Sequence, residues 1–128
     1  MTKFQLESPV DLTHRVIFIT QQLGLYQAEL ARVLHLQCAD IGQLTRCKVF
    51  LEPGTVAWQQ AQQFVRFYEL LYDRLGGDEV AMVHWLRARN EYFEIEPLLM
   101  IVDHGQLPSV IRRLESSHEI QRVKLPGP

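Results

Sequence analysis

An all-α fold is predicted for this chain of 128 residues, and three observations predict it. Apolar residues recur at the three-and-four spacing of a helix in every long stretch. Helix-starting and helix-stopping residues bracket those stretches: Ser8-Pro9 and Gly24 around the first, Thr55 before the longest, Asp78 before another, Pro97 and Gly105 around a short one. The composition, 47% hydrophobic and 22% charged, suits a soluble globular protein with one ordinary domain or two small units sharing a core. The expected order is an N-terminal helix-turn-helix unit with a long central helix over 1–77, a small three-helix unit over 78–120, and a tail over 121–128.

Met1 to Glu7 reads as a loosely held leader. Pro9 then opens a helix to about Gln22, with Asp11 near its positive end and Leu12, Val16, Ile19 and Leu23 on one face. His14 has no second ligand type at i+3 or i+4, so it reads as a surface or half-buried polar residue. Leu25 to Leu44 holds two short helices whose apolar positions are Leu30, Leu34, Leu36, Ile41 and Leu44, with the small Ala31 letting them approach. Glu52-Pro53-Gly54 marks a bend.

Val56 to Leu75 is the longest helix. Ala57, Ala61, Phe64, Tyr68, Leu71 and Leu75 form one seam; Trp58, Val65 and Tyr72 recur every seven residues on another. The two stripes together make it the expected central packing post between the N-terminal helices and the Trp85 unit, with a dimer surface as the further reading, and the aromatic stripe reads as core rather than a cofactor box.

The run from Ala81 to Leu114 spells three more helices. The first spans about Glu79 to Arg89 and is apolar on two sides: Val80, Ala81, His84, Trp85 and Ala88 on one, Met82, Val83 and Leu86 on the other. In so small a unit, that surface favours a partner pressed against it. The second opens at Pro97 and carries Leu98 to Val102 before Gly105 stops it. The third begins at Pro108 or Ser109 and aligns Leu107, Val110, Ile111 and Leu114.

Trp85-Leu86, Asn90, Phe93, Pro97-Leu98, Gly105, Val110 and Leu114 together resemble the toxin-binding domain of the Xre/MbcA/ParS antitoxins. Their pattern is a Trp-Leu ending one helix, a short loop, a Pro-Leu opening the next, then Gly and spaced Val and Leu. The stretch from Leu25 to Leu44 resembles the helix-turn-helix of Xre-type regulators, with Gln27 opening its first helix and, as the main departure, His35 at the turn position that normally holds glycine in a left-handed conformation. This chain departs from the family by having Glu94-Ile95-Glu96 where glycine is usual before the Pro-Leu, and by running on past Leu114 into an unusual tail.

The resemblance implies an antitoxin of a type II toxin–antitoxin system. Its partner would be a RES-domain toxin that attacks or uses NAD, neutralised by covering the toxin's NAD pocket. A second implied role is repression of its own operon, through the helix-turn-helix of a homodimer on operator DNA. Residues 78–120 would be the toxin-binding domain, with Trp85, Asn90, Tyr92, Phe93, Arg112 and Arg113 shaping the contact face. Leu98, Ile101, Val110 and Leu114 are expected inside. Val123, Lys124 and Leu125 would dock from the tail, the alternative being a frayed terminus.

The DNA-facing candidates are Gln37, Ala39 and Gln43, with Arg46 and Lys48 near phosphates. Glutamine can pair bidentately with adenine, while Asp40 on the same helix would repel phosphate. A helix-turn-helix kept as scaffold or dimerisation unit is the competing reading. The rival for the whole chain is a helix-turn-helix transcriptional regulator without a toxin partner, its C-terminal unit sensing a ligand or only dimerising.

A net charge of −2 carries no footprint of strong nonspecific nucleic-acid or membrane binding. The sequence shows no transmembrane run and no basic-then-apolar signal pattern. Cys38 and Cys47 are too few for a disulfide framework or a metal site, which suggests reduced thiols in the cytoplasm. Phosphate loops, His-Glu-x-x-His, Cys-x-x-Cys and nucleophile elbows are missing. Glu91, Glu94 and Glu96 read as a solvated loop or a match for a basic partner rather than acid–base machinery. Neither an enzymatic activity nor a cofactor is expected.

Overall fold

The computed structural model describes the backbone from Glu7 to Lys124 and side chains from Glu7 to Ser116. The described residues are all-helical: α1 (Pro9–Leu23), α2 (Gln27–Leu34), α3 (Cys38–Thr45), α4 (Val56–Arg74), α5 (Glu79–Arg87), α6 (Pro97–Val102) and α7 (Leu107–Lys124). None of these helices is long and apolar enough to cross a membrane. The chain divides into two compact units between Val65 and Arg66, inside α4 and not at Gly77 where the sequence suggested a boundary. The physical reason is Phe67, which is fully buried, with its ring centroid 6.4 Å from that of Trp85 on α5.

In the first unit, Ser8 caps α1 by accepting from the Asp11 N–H at 3.0 Å, and Gly24 ends it in the left-handed region. The α1 face Leu12, Val16, Ile19 and Leu23 is buried with Leu30, Val33 and Leu34 of α2 and Ile41 and Leu44 of α3. Helix starts here use the third helical residue reaching back: Glu29 Oε1 accepts from the Tyr26 N–H at 2.9 Å, and Asp40 Oδ2 from the Gln37 N–H at 3.1 Å. Between α2 and α3, His35 takes φ 61° and ψ 41°, and the Leu36 N–H closes the turn onto Ala31 O at 2.8 Å. Two polar contacts tie distant segments. Buried Thr13 accepts at Oγ1 from the Leu51 N–H at 2.9 Å, and Gln60 Nε2 donates to Val33 O at 2.9 Å.

The second unit is built on Phe67, Leu71, Met82, Leu86, Leu98, Ile101, Leu107, Val110 and Leu114, all buried. The four residues expected inside, Leu98, Ile101, Val110 and Leu114, are among them. Val80 is not: it is 80% exposed, and of the α5 stripe assigned to it His84 is exposed too, whereas Ala81, Trp85 and Ala88 are half-buried, so that stripe lies at the margin of this core. Asp78 caps α5 by accepting from the Ala81 N–H at 3.2 Å. The helix ends at Arg87, short of the expected Arg89. Helix α7 continues to Lys124, so Gln121 to Lys124 are helical backbone rather than an irregular tail.

Candidate protein-binding face

The connection from α5 to α6 is held by four hydrogen bonds that all involve Asn90. Asn90 Oδ1 accepts from the N–H groups of Tyr92 at 2.8 Å and Phe93 at 3.2 Å, a side chain imitating a backbone turn. The Asn90 N–H donates to Ile95 O at 3.0 Å and the Glu94 N–H to Asn90 O at 2.7 Å, closing the loop on itself. Closure forces Glu94 to φ 67°, in the left-handed region that favours glycine. Glu94 thus sits where the backbone asks for glycine.

This loop presents aromatics in fixed positions. Tyr92 is 61% exposed, meets Phe93 edge-on at 5.1 Å between centroids, and has the Arg113 guanidinium carbon 3.9 Å from its ring centroid. A cation over an aromatic face is attracted by the ring quadrupole, so each restrains the other. On α7, Arg112 Nη2 donates to Ser109 Oγ at 3.1 Å, and that hydroxyl donates to Gln106 Oε1 at 3.0 Å.

Two grooves adjoin at Tyr92 and Arg113. The larger, about 340 Å³, is lined by Tyr92, Phe93, Met100, Ser109, Arg112 and Arg113, with Ser116 at one end. The smaller, about 200 Å³, is lined by Arg74, Trp85, Asn90, Glu91, Tyr92 and Arg113, with Leu114 at its base. All six residues expected on the face within α5, the loop and the start of α7 line one groove or the other. Trp85 is half-buried against Phe67 and so shares its surface between core and groove. Of the remaining three, Val123 and Lys124 are described only as helical backbone and Leu125 lies outside the described residues.

Arg74 and Met100 join this face without having been singled out in the sequence. Arg74 sits in the last turn of α4, where a cation complements the helix dipole, and nothing in its local pattern distinguishes it from a solvated helix end. Burial, and then the nearby Arg113, push its guanidinium below the usual arginine range.

In the first unit, Gln37, Ala39 and Gln43 are exposed, as are Arg46 and Lys48 just past the end of α3. Two of them have structural duties. Gln37 is the α3 cap residue, and the Arg46 guanidinium lies over Gly42, 3.6 Å from where a Cβ there would stand. Asp40, also exposed, is engaged at the helix start. Exposed Cys47 takes φ 60° and has Sγ 3.8 Å from His14 Nε2. Among the described residues no group of three or more His, Cys, Asp or Glu side chains could hold a metal ion.

No protein-family model matches this chain, and no curated protein matches it.

Proposed function

We propose that this chain is an antitoxin that neutralises a RES-domain, NAD-targeting toxin by laying the Trp85–Arg113 face over the toxin's active-site entrance. The observation that carries the reading is Tyr92: an exposed aromatic whose backbone is held by the Asn90 turn and whose ring is met by Arg113, lining both grooves. Rigid aromatics and arginines beside pockets supply most of the energy of protein interfaces, because they bury much surface and lose little entropy. The resemblance of the Trp85–Leu114 string to antitoxin toxin-binding domains gives that partner its class. The chain acts by occlusion, with no chemistry or cofactor of its own.

The test is co-expression with the open reading frame beside it, the toxin tagged and this chain untagged, followed by growth. A stable complex that relieves growth arrest supports the reading. Phe93→Asp, which places a charge in the larger groove, should abolish both. No complex and no toxicity would refute it.

A second reading rests on α3, whose exposed Gln37 and Gln43 suit major-groove contacts: a helix-turn-helix regulator, acting alone or as the operon-repressing part of a dimeric antitoxin. Gln43→Ala separates the two. It should weaken operator binding and leave neutralisation intact if the antitoxin reading holds.

A further inference from the structure

The smaller groove of the second unit contains more positive charge than its protein partners balance. Arg74 Nη1 is buried and has no hydrogen-bond partner among the described residues. Arg113 lines the same groove, its guanidinium fixed over Tyr92 with Cζ 3.9 Å from the ring centroid. Glu91 is exposed among the lining residues, and no ion pair joins it to either arginine.

A guanidinium offers five donors and no acceptor, and burying one of its nitrogens without a hydrogen-bond partner is a cost the fold keeps only where something can meet it. The two cations also disfavour each other, which is why Arg113 adds to burial in lowering the pKa of Arg74. Such a pair is stable once an anion sits between its members. The groove, at about 200 Å³, takes a small head group rather than a nucleotide. The rings of Trp85 and Tyr92 among its otherwise polar lining can pack against the methylenes that carry a side-chain carboxylate. Two guanidinium forks match the two oxygens of a planar carboxylate.

We propose that the groove between Arg74 and Arg113 is a carboxylate-binding site that clamps an acidic side chain of the protein partner. The identity of the occupant rests on the partner-binding reading above; the site itself does not. It makes the Arg74–Arg113 pair the charged anchor beside the aromatic one, and it gives the partner a required feature: an aspartate or glutamate protruding where it meets Tyr92.

The test has two arms on the full chain. In the first, the Nε–H resonances of Arg74 and Arg113 are followed by NMR while sodium acetate replaces sodium chloride at constant ionic strength, with inorganic phosphate as a parallel titration. Acetate should shift both resonances saturably, and Arg74→Gln should abolish the shift at Arg113. Acetate shifts no larger than those of chloride would overturn the site, and tighter saturation by phosphate than by acetate would overturn the carboxylate assignment.

In the second arm, Arg74→Gln should weaken the complex with the co-expressed toxin by at least about tenfold, as expected for removing one member of a charge pair that the complex would bury. Arg74→Lys keeps the positive charge at the end of α4 but lacks the planar fork, and should also weaken it. Equal capture of toxin by wild type and both variants would overturn the assigned occupant. Should the wild-type chain capture no toxin at all, the antitoxin reading falls while the acetate titration still decides the site.

Discussion

Glu94→Gly should stabilise the second unit, and its sign is set by one backbone angle. Glu94 stands at φ 67° with its N–H bonded to Asn90 O at 2.7 Å, a bond that glycine retains. An L-residue in the left-handed region costs about 1–2 kcal/mol. Glycine escapes that cost but loses more backbone freedom on folding, by roughly 0.5–1 kcal/mol. The difference leaves Glu94→Gly more stable by about 0.5–1 kcal/mol.

Removing an exposed carboxylate beside Glu91 and Glu96 could mimic the effect, so Glu94→Ala is the control: it loses the charge and keeps the Cβ. The assay is urea unfolding in a Trp58→Phe background, so that Trp85 alone reports on the second unit. With a urea slope of about 1–3 kcal/mol per molar, the glycine variant should unfold about 0.2–1 M later than the alanine variant. Equal midpoints, or an earlier one for glycine, would refute the claim that the loop strains this residue.

Gly77→Ala should be destabilising by at least about 1 kcal/mol, because φ there is +75° and a Cβ would stand 2.9 Å from Cζ of the Tyr72 ring. Adding Tyr72→Ala should recover the steric part only, measured as a difference in thermal midpoint. Thr13→Val keeps shape and strands the buried Leu51 N–H, at a cost of about 1–3 kcal/mol, whereas Thr13→Ser should largely keep the bond; slowed hydrogen exchange at Leu51 reports it. Burial, then Tyr72 and Glu79, raise the Tyr68 pKa above its ordinary value of 10.0, so above that pH the unfolded chain has released a proton the folded chain still holds. Stability should therefore fall as pH rises past about 10 towards the folded-state value, and Tyr68→Phe should reduce the slope.

Helix existence and most helix starts were legible because they depend on neighbours in sequence. Ser8-Pro9, Thr55, Asp78 and Pro97 start helices through groups only a few residues away: Thr55 Oγ1, for example, accepts from the Trp58 N–H at 3.1 Å. The inward face of α1 and the positions Leu98, Ile101, Val110 and Leu114 followed from periodicity for the same reason. The stripe of α5 containing Val80 did not, since a helix with apolar residues on two sides does not say which side the core takes. Phe67 was likewise missed: it lies off both seams read on α4, and its burial comes from the second unit.

From the candidate face, pattern supplied Trp85, Asn90, Tyr92, Phe93, Arg112 and Arg113 as types at set spacings. It could not supply Arg74, a helix-ending arginine like many others until folding brings α4 and α7 together and buries Nη1 beside Arg113. Nor could it reveal that Glu94 and Cys47 would each occupy a left-handed backbone, because glycine was not there to announce it, whereas at His35 the resemblance to a helix-turn-helix turn did. Local preference decides where a helix begins, which residue types share a stripe, and that this chain is all-α. Which stripe is buried, which charge loses its water and which loop closes tightly enough to strain a glutamate depend on contacts between residues far apart in the chain, and those exist only once it has folded.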